Sequence, residues 1–195
     1  IISSQCIGIS HLKGILEGDD IEKCIQCLKD LGVKILKKRS GEFFVFGNGE
    51  NSFDQPKKKQ LFFGNAGTLG ILLGLLATNS NINVKITGDK SLSKRNMEKF
   101  IEPLSKIGCT FKPENKKTLP FIVQGTDFGL AQHHVLNSGS AQSKACILMA
   151  AMNLPGVTTI EERNLSRNHS ELILRSIGAD IQINKTKKYN LITMR

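Results

Sequence analysis

Hydrophobic and polar positions along this chain follow one pattern that occurs three times. In each copy, a polar start leads into a stretch with helical spacing of apolar residues, which ends at Leu-Gly or Ile-Gly before a short β-like run. The copies begin at Asp19, Lys94 and Arg167. Their shared glycines are Gly32, Gly108 and Gly178. The spacing exceeds that of common solenoid repeats, which have about 20–50 residues, and indicates a repeated α/β module.

A second, more apolar helix precedes the shared one in the later two copies. We expect these helices over residues 66–78 and 141–152, followed by β-strands over 82–86 and 157–160. The shared helices are amphipathic, whereas the second set is apolar on all sides. The second set is therefore predicted to be buried in the middle of the fold, with the strands outside.

The same alignment places a strand at residues 7–12 and puts most of its preceding helix before residue 3. We therefore expect the chain to begin inside a helix, with its natural N-terminus upstream. Further strands are predicted at 33–36, 43–46, 60–63, 109–112, 121–124, 181–184 and 190–194.

The composition is that of an ordinary globular protein and narrows the classes of function. A chain of 195 residues is long enough for one domain with a real core, and its longest apolar run, 71–77, is far too short to cross a bilayer. The net charge of +10 suits an anionic partner. The lysines are dispersed without interleaved aromatic residues, which argues against a nucleic-acid-binding surface.

The five cysteines suggest no disulfide framework. Cys24 and Cys27 spell a CxxC motif, but they lie within a helical pattern and lack a second pair, which argues against zinc. Cys146 lies in a run that reads as buried. We expect all five to be reduced thiols in a cytoplasmic protein.

Two small-residue segments precede the apolar helices and are candidates for anion binding. The first, Gly-Asn-Ala-Gly-Thr at 64–68, joins a strand to a helix start, where free backbone N–H groups attract negative charge. The second, Ser-Gly-Ser-Ala-Gln-Ser-Lys at 138–144, holds the equivalent place. There Ser140 is expected to cap the helix, and Lys144 is expected to bring charge. An ordinary strand-to-helix turn remains the alternative for the first segment.

Cationic residues begin the shared helices of the second and third copies, at Arg95 and Arg167. Because helix starts of a threefold module converge at one end, we expect both to face one anion. His169 has a pKa suited to acid–base work, although a structural role is the more common one for such a residue. The pair His133–His134 is predicted to lie in a loop. No nucleophile–histidine–acid set is visible.

Four motifs in order resemble one enzyme family: GNAGT at 64–68, GDKSLSKRNM at 88–97, SGSAQSKACILMA at 138–150 and SRNHSE at 166–171. They are similar to those of the 5-enolpyruvylshikimate-3-phosphate synthases, specifically the bacterial class II type. The resemblance runs from about residue 14 to the end. It implies an α/β fold of three βαβαββ units with buried helices and outer sheets, one lobe of an inside-out α/β barrel, with units at about 1–50, 51–125 and 126–195.

The resemblance also implies an activity. Family enzymes transfer the enolpyruvyl group of phosphoenolpyruvate to the 5-hydroxyl of shikimate 3-phosphate and release phosphate, without metal or organic cofactor. They are cytoplasmic transferases of aromatic amino acid biosynthesis, with two lobes and the site between them. This chain matches one lobe, so we expect it to bind substrate and to be inactive alone, with no nucleic-acid or membrane partner.

The motifs assign residues to phosphoenolpyruvate. By resemblance, Asn65 and Gly67 approach this substrate and Arg95 binds its charge. Family members usually carry Arg three residues after the Thr of GNxGT, where this chain has Ile71. That departure leaves open a degenerate, non-catalytic relative.

The motifs also assign residues to shikimate 3-phosphate. Ser140, Ala141 and Gln142 line the boundary between the two substrates. Ser166 binds the phosphate of shikimate 3-phosphate, with Arg167 close by. No catalytic residue is assigned to this lobe, because the family's Lys-Ser-x-Ser-x-Arg segment and its acidic proton-transfer residues lie elsewhere. A further alternative is the related UDP-N-acetylglucosamine enolpyruvyl transferase, whose motifs fit less well.

Overall fold

In the part of the chain that the structure describes, three small β-sheets, one for each copy of the sequence pattern, surround two buried helices. The computed structural model describes residues 1–114 and 116–195. The first unit contains α1 (Ile2–Gln5), β1 (Ile7–Lys13), α2 (Asp19–Asp30), β2 (Lys34–Arg39) and β3 (Glu42–Asn48). Its sheet has the order β1-β3-β2 and is antiparallel throughout.

The second and third units share one topology. The second contains β4 (Gln60–Phe62), a 3-10 helix (Gly67–Ile71), α3 (Leu72–Ala77), β5 (Asn83–Thr87), a second 3-10 helix (Leu92–Lys94), α4 (Glu98–Ile107), β6 (Thr110–Lys112) and β7 (Phe121–Gln124). The third contains β8 (His133–Leu136), α5 (Ala141–Ala151), β9 (Thr158–Glu162), α6 (His169–Ser176), β10 (Ile181–Lys185) and β11 (Asn190–Met194). The sheet orders are β4-β5-β7-β6 and β8-β9-β11-β10.

The predicted fold class is confirmed. Each later unit runs βαβαββ, with its first two strands parallel and the others antiparallel. The two parallel pairs, β4–β5 and β8–β9, each need a crossover connection, which a helical segment supplies in each unit. The unit boundaries near residues 50 and 125 stay a prediction.

The helices α3 and α5 form the centre of the fold. All six residues of α3 are buried, and so is α5 from Ser143 onward. The two backbones touch at Gly74, where an added Cβ would lie 2.1 Å from the carbonyl oxygen of Cys146. This glycine therefore permits an approach that any side chain would prevent.

The amphipathic helices α2, α4 and α6 bury only one stripe each. Leu28, Leu104 and Leu174 are at most 3% exposed. Pro103 lies inside α4 and is buried. It has no N–H, so the carbonyl of Lys99 is left without its usual helical partner.

Two predicted elements differ from the structure. The pair His133–His134 was predicted as a loop but belongs to β8, where His133 is exposed and His134 is buried. A four-residue edge strand carries too little alternation to be recognised, and it forms because β9 offers a parallel partner. The helix expected at 66–78 begins as a 3-10 helix and becomes α-helical only at Leu72.

The first sheet has three strands where the others have four. In the described part of the chain, nothing pairs with the outer edge of β1, which corresponds to the edges covered by β4 and β8. Ile7 and Ile9 on β1 are 92% and 63% exposed. The described helices include none that is both long enough and apolar enough to span a membrane.

Candidate functional site

The candidate site lies where the 3-10 helix Gly67–Ile71 and the helix α5 begin. Arg95 donates through Nη2 to Oδ1 of Asn65 at 2.9 Å, across 30 residues of sequence. A Cβ built on Gly67 would be 3.1 Å from Nη1 of the same guanidinium. The structure thus brings together the three residues that the motifs assign to phosphoenolpyruvate, and a side chain at position 67 would press against the guanidinium.

A second group surrounds an open hollow of about 500 Å³ beside the start of α5. Its lining consists of Ser138, Gly139, Ser140, Ala141, Gln142 and Arg167. These residues come from two segments of the third unit, as the convergence of helix starts predicts. The hollow therefore combines a helix start with one guanidinium, which is an arrangement suited to an anion.

The first turn of α5, beside this hollow, has backbone N–H groups that the helix itself does not use. The first N–H groups of a helix have no partner within it. Ser140 Oγ accepts from the N–H of Ser143 at 3.3 Å and so caps α5, as predicted. The N–H groups of Ala141 and Gln142 are not needed for the helix and are free for a ligand.

Lys99 joins the two groups and was not identified from the sequence. Its Nζ donates to Oε1 of Gln142 at 2.9 Å. Burial lowers the pKa of Lys99, and the nearby guanidinium of Arg95 lowers it further. Lys99 thus adds a third cation between Arg95 and the hollow.

A proline fixes the position of Lys99. Because Pro103 has no N–H, the backbone oxygen of Lys99 is free to accept from Ser143 Oγ at 2.7 Å. This bond ties the first turn of α4 to the first turn of α5. Pro103 was the available sequence signal, but its partner on another helix cannot be identified from spacing alone.

Two predicted residues are placed differently from the rest. Ser166 does not line the hollow; its N–H and its hydroxyl both donate to Oε1 of Glu162, at 3.0 and 2.6 Å. Lys144, expected to bring charge to the site, is 1% exposed. Lysine is rarely buried, and only its pairing with carboxylates from distant segments explains this one.

The first unit contributes an acid to this end of the fold. Thr68 Oγ1 donates to Oδ2 of Asp20 in the first turn of α2, at 3.3 Å. The start of α2 therefore meets the turn 64–68, as expected for converging helix starts. Ile71, where the resemblance leads one to expect Arg, is half-buried against the core.

The histidines and cysteines lie outside this site. His169 is exposed at the start of α6, and His133 Nδ1 lies 2.7 Å from Thr159 Oγ1 on β9. All five cysteines are free thiols, and burial raises the pKa of Cys27 and Cys109 to about 12. Among the residues that the structure describes, no cluster of His, Cys, Asp and Glu is arranged to hold a metal ion.

Comparison with known proteins places this geometry in a family. Residues 1–193 match the family model described as EPSP synthase (3-phosphoshikimate 1-carboxyvinyltransferase). The chain is 35% identical over 184 residues to a 3-phosphoshikimate 1-carboxyvinyltransferase of Paramagnetospirillum magneticum, covering 94% of this chain and 41% of that protein. It is 32% identical over 195 residues to one of Ruegeria, covering 100% of this chain and 43% of the relative.

The fold agrees with solved structures of the same name. An EPSP synthase structure from Acinetobacter baumannii superposes with a TM-score of 0.89 at 31% identity, covering 98% of this chain and 42% of that one. The chain therefore spans about two fifths of the length of the relatives that it matches.

Proposed function

The chain belongs to the EPSP synthase family, and we propose that it is the lobe that holds shikimate 3-phosphate and phosphoenolpyruvate during enolpyruvyl transfer. The observation that carries the proposal is the hydrogen bond from Arg95 to Asn65 beside Gly67, adjoining the hollow that Arg167 lines. These are the motif residues that the resemblance assigns to two anionic substrates.

The proposed division of the site follows its two groups. Arg95, with Asn65 and Gly67, holds phosphoenolpyruvate. The hollow of Ser140, Ala141, Gln142 and Arg167 holds shikimate 3-phosphate. Lys99 stands between them and neutralises charge that both substrates bring. Fixing two anions side by side converts a bimolecular encounter into an oriented one, which is a large share of what such a reaction needs.

The role of Ser166 in this proposal depends on the orientation of its hydroxyl group. The hydroxyl of Ser166 donates its hydrogen to Glu162. It can therefore donate to a phosphate oxygen only after rotating away from Glu162. Without that rotation, the hydroxyl oxygen can only accept a hydrogen bond. We propose that Arg167 is the direct phosphate ligand of this loop and that Ser166 binds the phosphate only after such a rotation.

The addition of a hydroxyl to an enol carbon and the later loss of phosphate both require proton transfer. The residues assigned to the two substrates are cations, amides and hydroxyls, which bind and orient rather than move protons, and the carboxylate of Asp20 accepts from Thr68. We propose that the acid–base groups come from a second lobe, as the greater length of the relatives suggests, and that this chain alone binds without turnover. Free thiols support a cytoplasmic setting.

A second candidate is a degenerate relative that no longer catalyses. Ile71 favours it, because an apolar, half-buried side chain stands where the family usually has a cation. Lys99 lies close enough to Arg95 to offset part of that loss.

Calorimetric titration with shikimate 3-phosphate tests the proposal. We expect saturable binding to the chain alone and release of no phosphate when phosphoenolpyruvate is added. The absence of binding, with no activity in the longer protein, would support the degenerate relative. Tight, salt-sensitive binding of DNA or RNA in place of the sugar phosphate would contradict both.

A further inference from the structure

A buried ion cluster lies behind the proposed shikimate 3-phosphate site. Lys144 Nζ lies 2.8 Å from Oε1 of Glu162 and 2.7 Å from Oε1 of Glu171. The three side chains are 1%, 3% and 2% exposed. None of them lines the hollow, so none can touch a ligand there.

The cluster connects the two segments that surround the hollow. Lys144 belongs to the first turn of α5, which presents Ser140 and Gln142. Glu162 ends β9, and its Oε1 accepts both from Lys144 and from the N–H and hydroxyl of Ser166. One carboxylate oxygen therefore ties the start of α5 to the loop that carries Arg167.

Glu162 is held as a carboxylate. Burial raises its pKa, but the hydrogen bonds from Lys144 and Ser166 oppose this and leave the pKa below its ordinary value. By contrast, Oε2 of Glu171 is buried without a hydrogen-bond partner in the described part of the chain. A cluster with an unpaired oxygen is poorly suited to stabilising the fold.

The second unit shows that the module packs without these charges. When the sequences of the two units are aligned at Asn79 and Asn153, which follow the two buried helices, Lys144 corresponds to Gly70. There the ring of Phe100 fills the space, since a Cβ on Gly70 would lie 2.3 Å from its Cζ. A glycine and an aromatic ring thus replace the ion cluster. Buried ion pairs generally add little stability over such apolar packing.

We propose that Lys144 is a positioning residue that holds the Ser166–Arg167 loop in register with the start of α5. This role rests on the proposed function, because the groups held in register are the proposed ligands of shikimate 3-phosphate. The cation acts through Glu162, which transmits its position to the backbone N–H of Ser166.

The test compares two variants of the full chain. Lys144→Met/Glu171→Gln removes the bridge by taking away one positive and one negative charge, so the net charge of the cluster does not change and Glu162 still accepts from Ser166. Glu171→Gln alone keeps the link from Lys144 through Glu162 to Ser166 and serves as the matched control. The measurements are amide hydrogen exchange by NMR and the dissociation constant for shikimate 3-phosphate.

In the double variant, we expect exchange of the Ser166 amide to rise about tenfold or more while amides of α3 keep their protection. The dissociation constant should rise by about tenfold or more, because a small misplacement of a binding group carries a large penalty. The control should resemble the wild type in both. Unchanged Ser166 exchange and unchanged affinity would overturn the proposal, and so would loss of protection throughout α3, which would assign Lys144 to global stability.

The two proposals fail in different ways. If the wild type does not bind shikimate 3-phosphate, the proposed function falls. Exchange of the Ser166 amide still shows whether Lys144 positions the loop.

Discussion

Ser143 on α5 donates its hydroxyl to the backbone oxygen of Lys99 on α4, at 2.7 Å. The acceptor is free because Pro103, one turn later, has no N–H to offer it. The proline in α4 and the serine in α5 thus allow one hydrogen bond between the two helices. This bond places Lys99 beside Gln142.

Ser143→Ala should destabilise the chain by about 1–3 kcal/mol, since a partly buried carbonyl oxygen is left without a donor. Adding Pro103→Ala restores an N–H to the same oxygen and should recover much of that loss. Urea unfolding of the two single variants and the double variant measures the coupling. Strictly additive effects would show that the two residues do not share the oxygen of Lys99.

Arg95→Met should weaken binding of phosphoenolpyruvate by about 10–100-fold, because hydrogen bonds to charged groups contribute about 1.5–3 kcal/mol. Arg195→Met is the matched control, since it removes an exposed arginine whose one ion pair among the described residues is with Asp180. The control should bind as the wild type does in calorimetric titration. Equal losses of affinity in both variants would show that Arg95 contributes only through the net charge of the chain.

Two glycine-to-alanine substitutions distinguish an effect on core packing from an effect on the candidate site. Gly74→Ala drives a Cβ against the backbone of Cys146 and should cost about 1–3 kcal/mol or more by overpacking. Gly67→Ala meets only the movable end of Arg95 and should leave the unfolding free energy nearly unchanged while weakening anion binding. Denaturant unfolding and ligand titration of both variants check this. Similar destabilisation in the two would contradict it.

His134 gives the fold a defined pH dependence. Burial, with smaller contributions from Lys106 and His133, lowers its pKa from 6.5 to about 4. Below pH 6.5 the unfolded chain takes up a proton that the folded chain refuses, so this residue reduces stability progressively as the pH falls from 6.5 to about 4.

The His134→Val variant should therefore become more stable relative to the wild type as the pH is lowered. We expect its unfolding free energy relative to wild type to rise by roughly 1–2 kcal/mol between pH 8 and pH 5. Denaturant unfolding at the two pH values gives the difference. A difference that does not change with pH would show that His134 is not the group responsible.

The repeated pattern predicted an α/β module with inner helices and outer strands, and the family resemblance supplied the βαβαββ order of its units. The strands 121–124 and 190–194 were predicted with the bounds of β7 and β11, because each is a short run made up mostly of apolar residues. The strand β8 was not predicted, because it forms by pairing with β9 and its own residues carry no clear strand pattern. The repeat also carried the convergence of Asn65, Arg95, Ser140 and Arg167.

The remaining features of the site depend on contacts between distant segments. Lys144 reads as a polar residue at a helix start, and its burial follows only from Glu162 and Glu171, which lie beyond β8 and α5. Lys99 gains its place from Pro103 and Ser143, which belong to different helices. Local propensity contains no information on either meeting, because both are set by tertiary packing.

An NMR titration of the chain with shikimate 3-phosphate shows most directly whether this lobe holds the two substrates. We expect saturable shifts of amides in 138–142 and at Arg167, with smaller shifts near Arg95 and few in the outer sheets. Phosphoenolpyruvate should then shift residues 65–67 and Arg95. Shifts spread over surface lysines, or none at the helix starts, would contradict the claim that this lobe holds the two substrates.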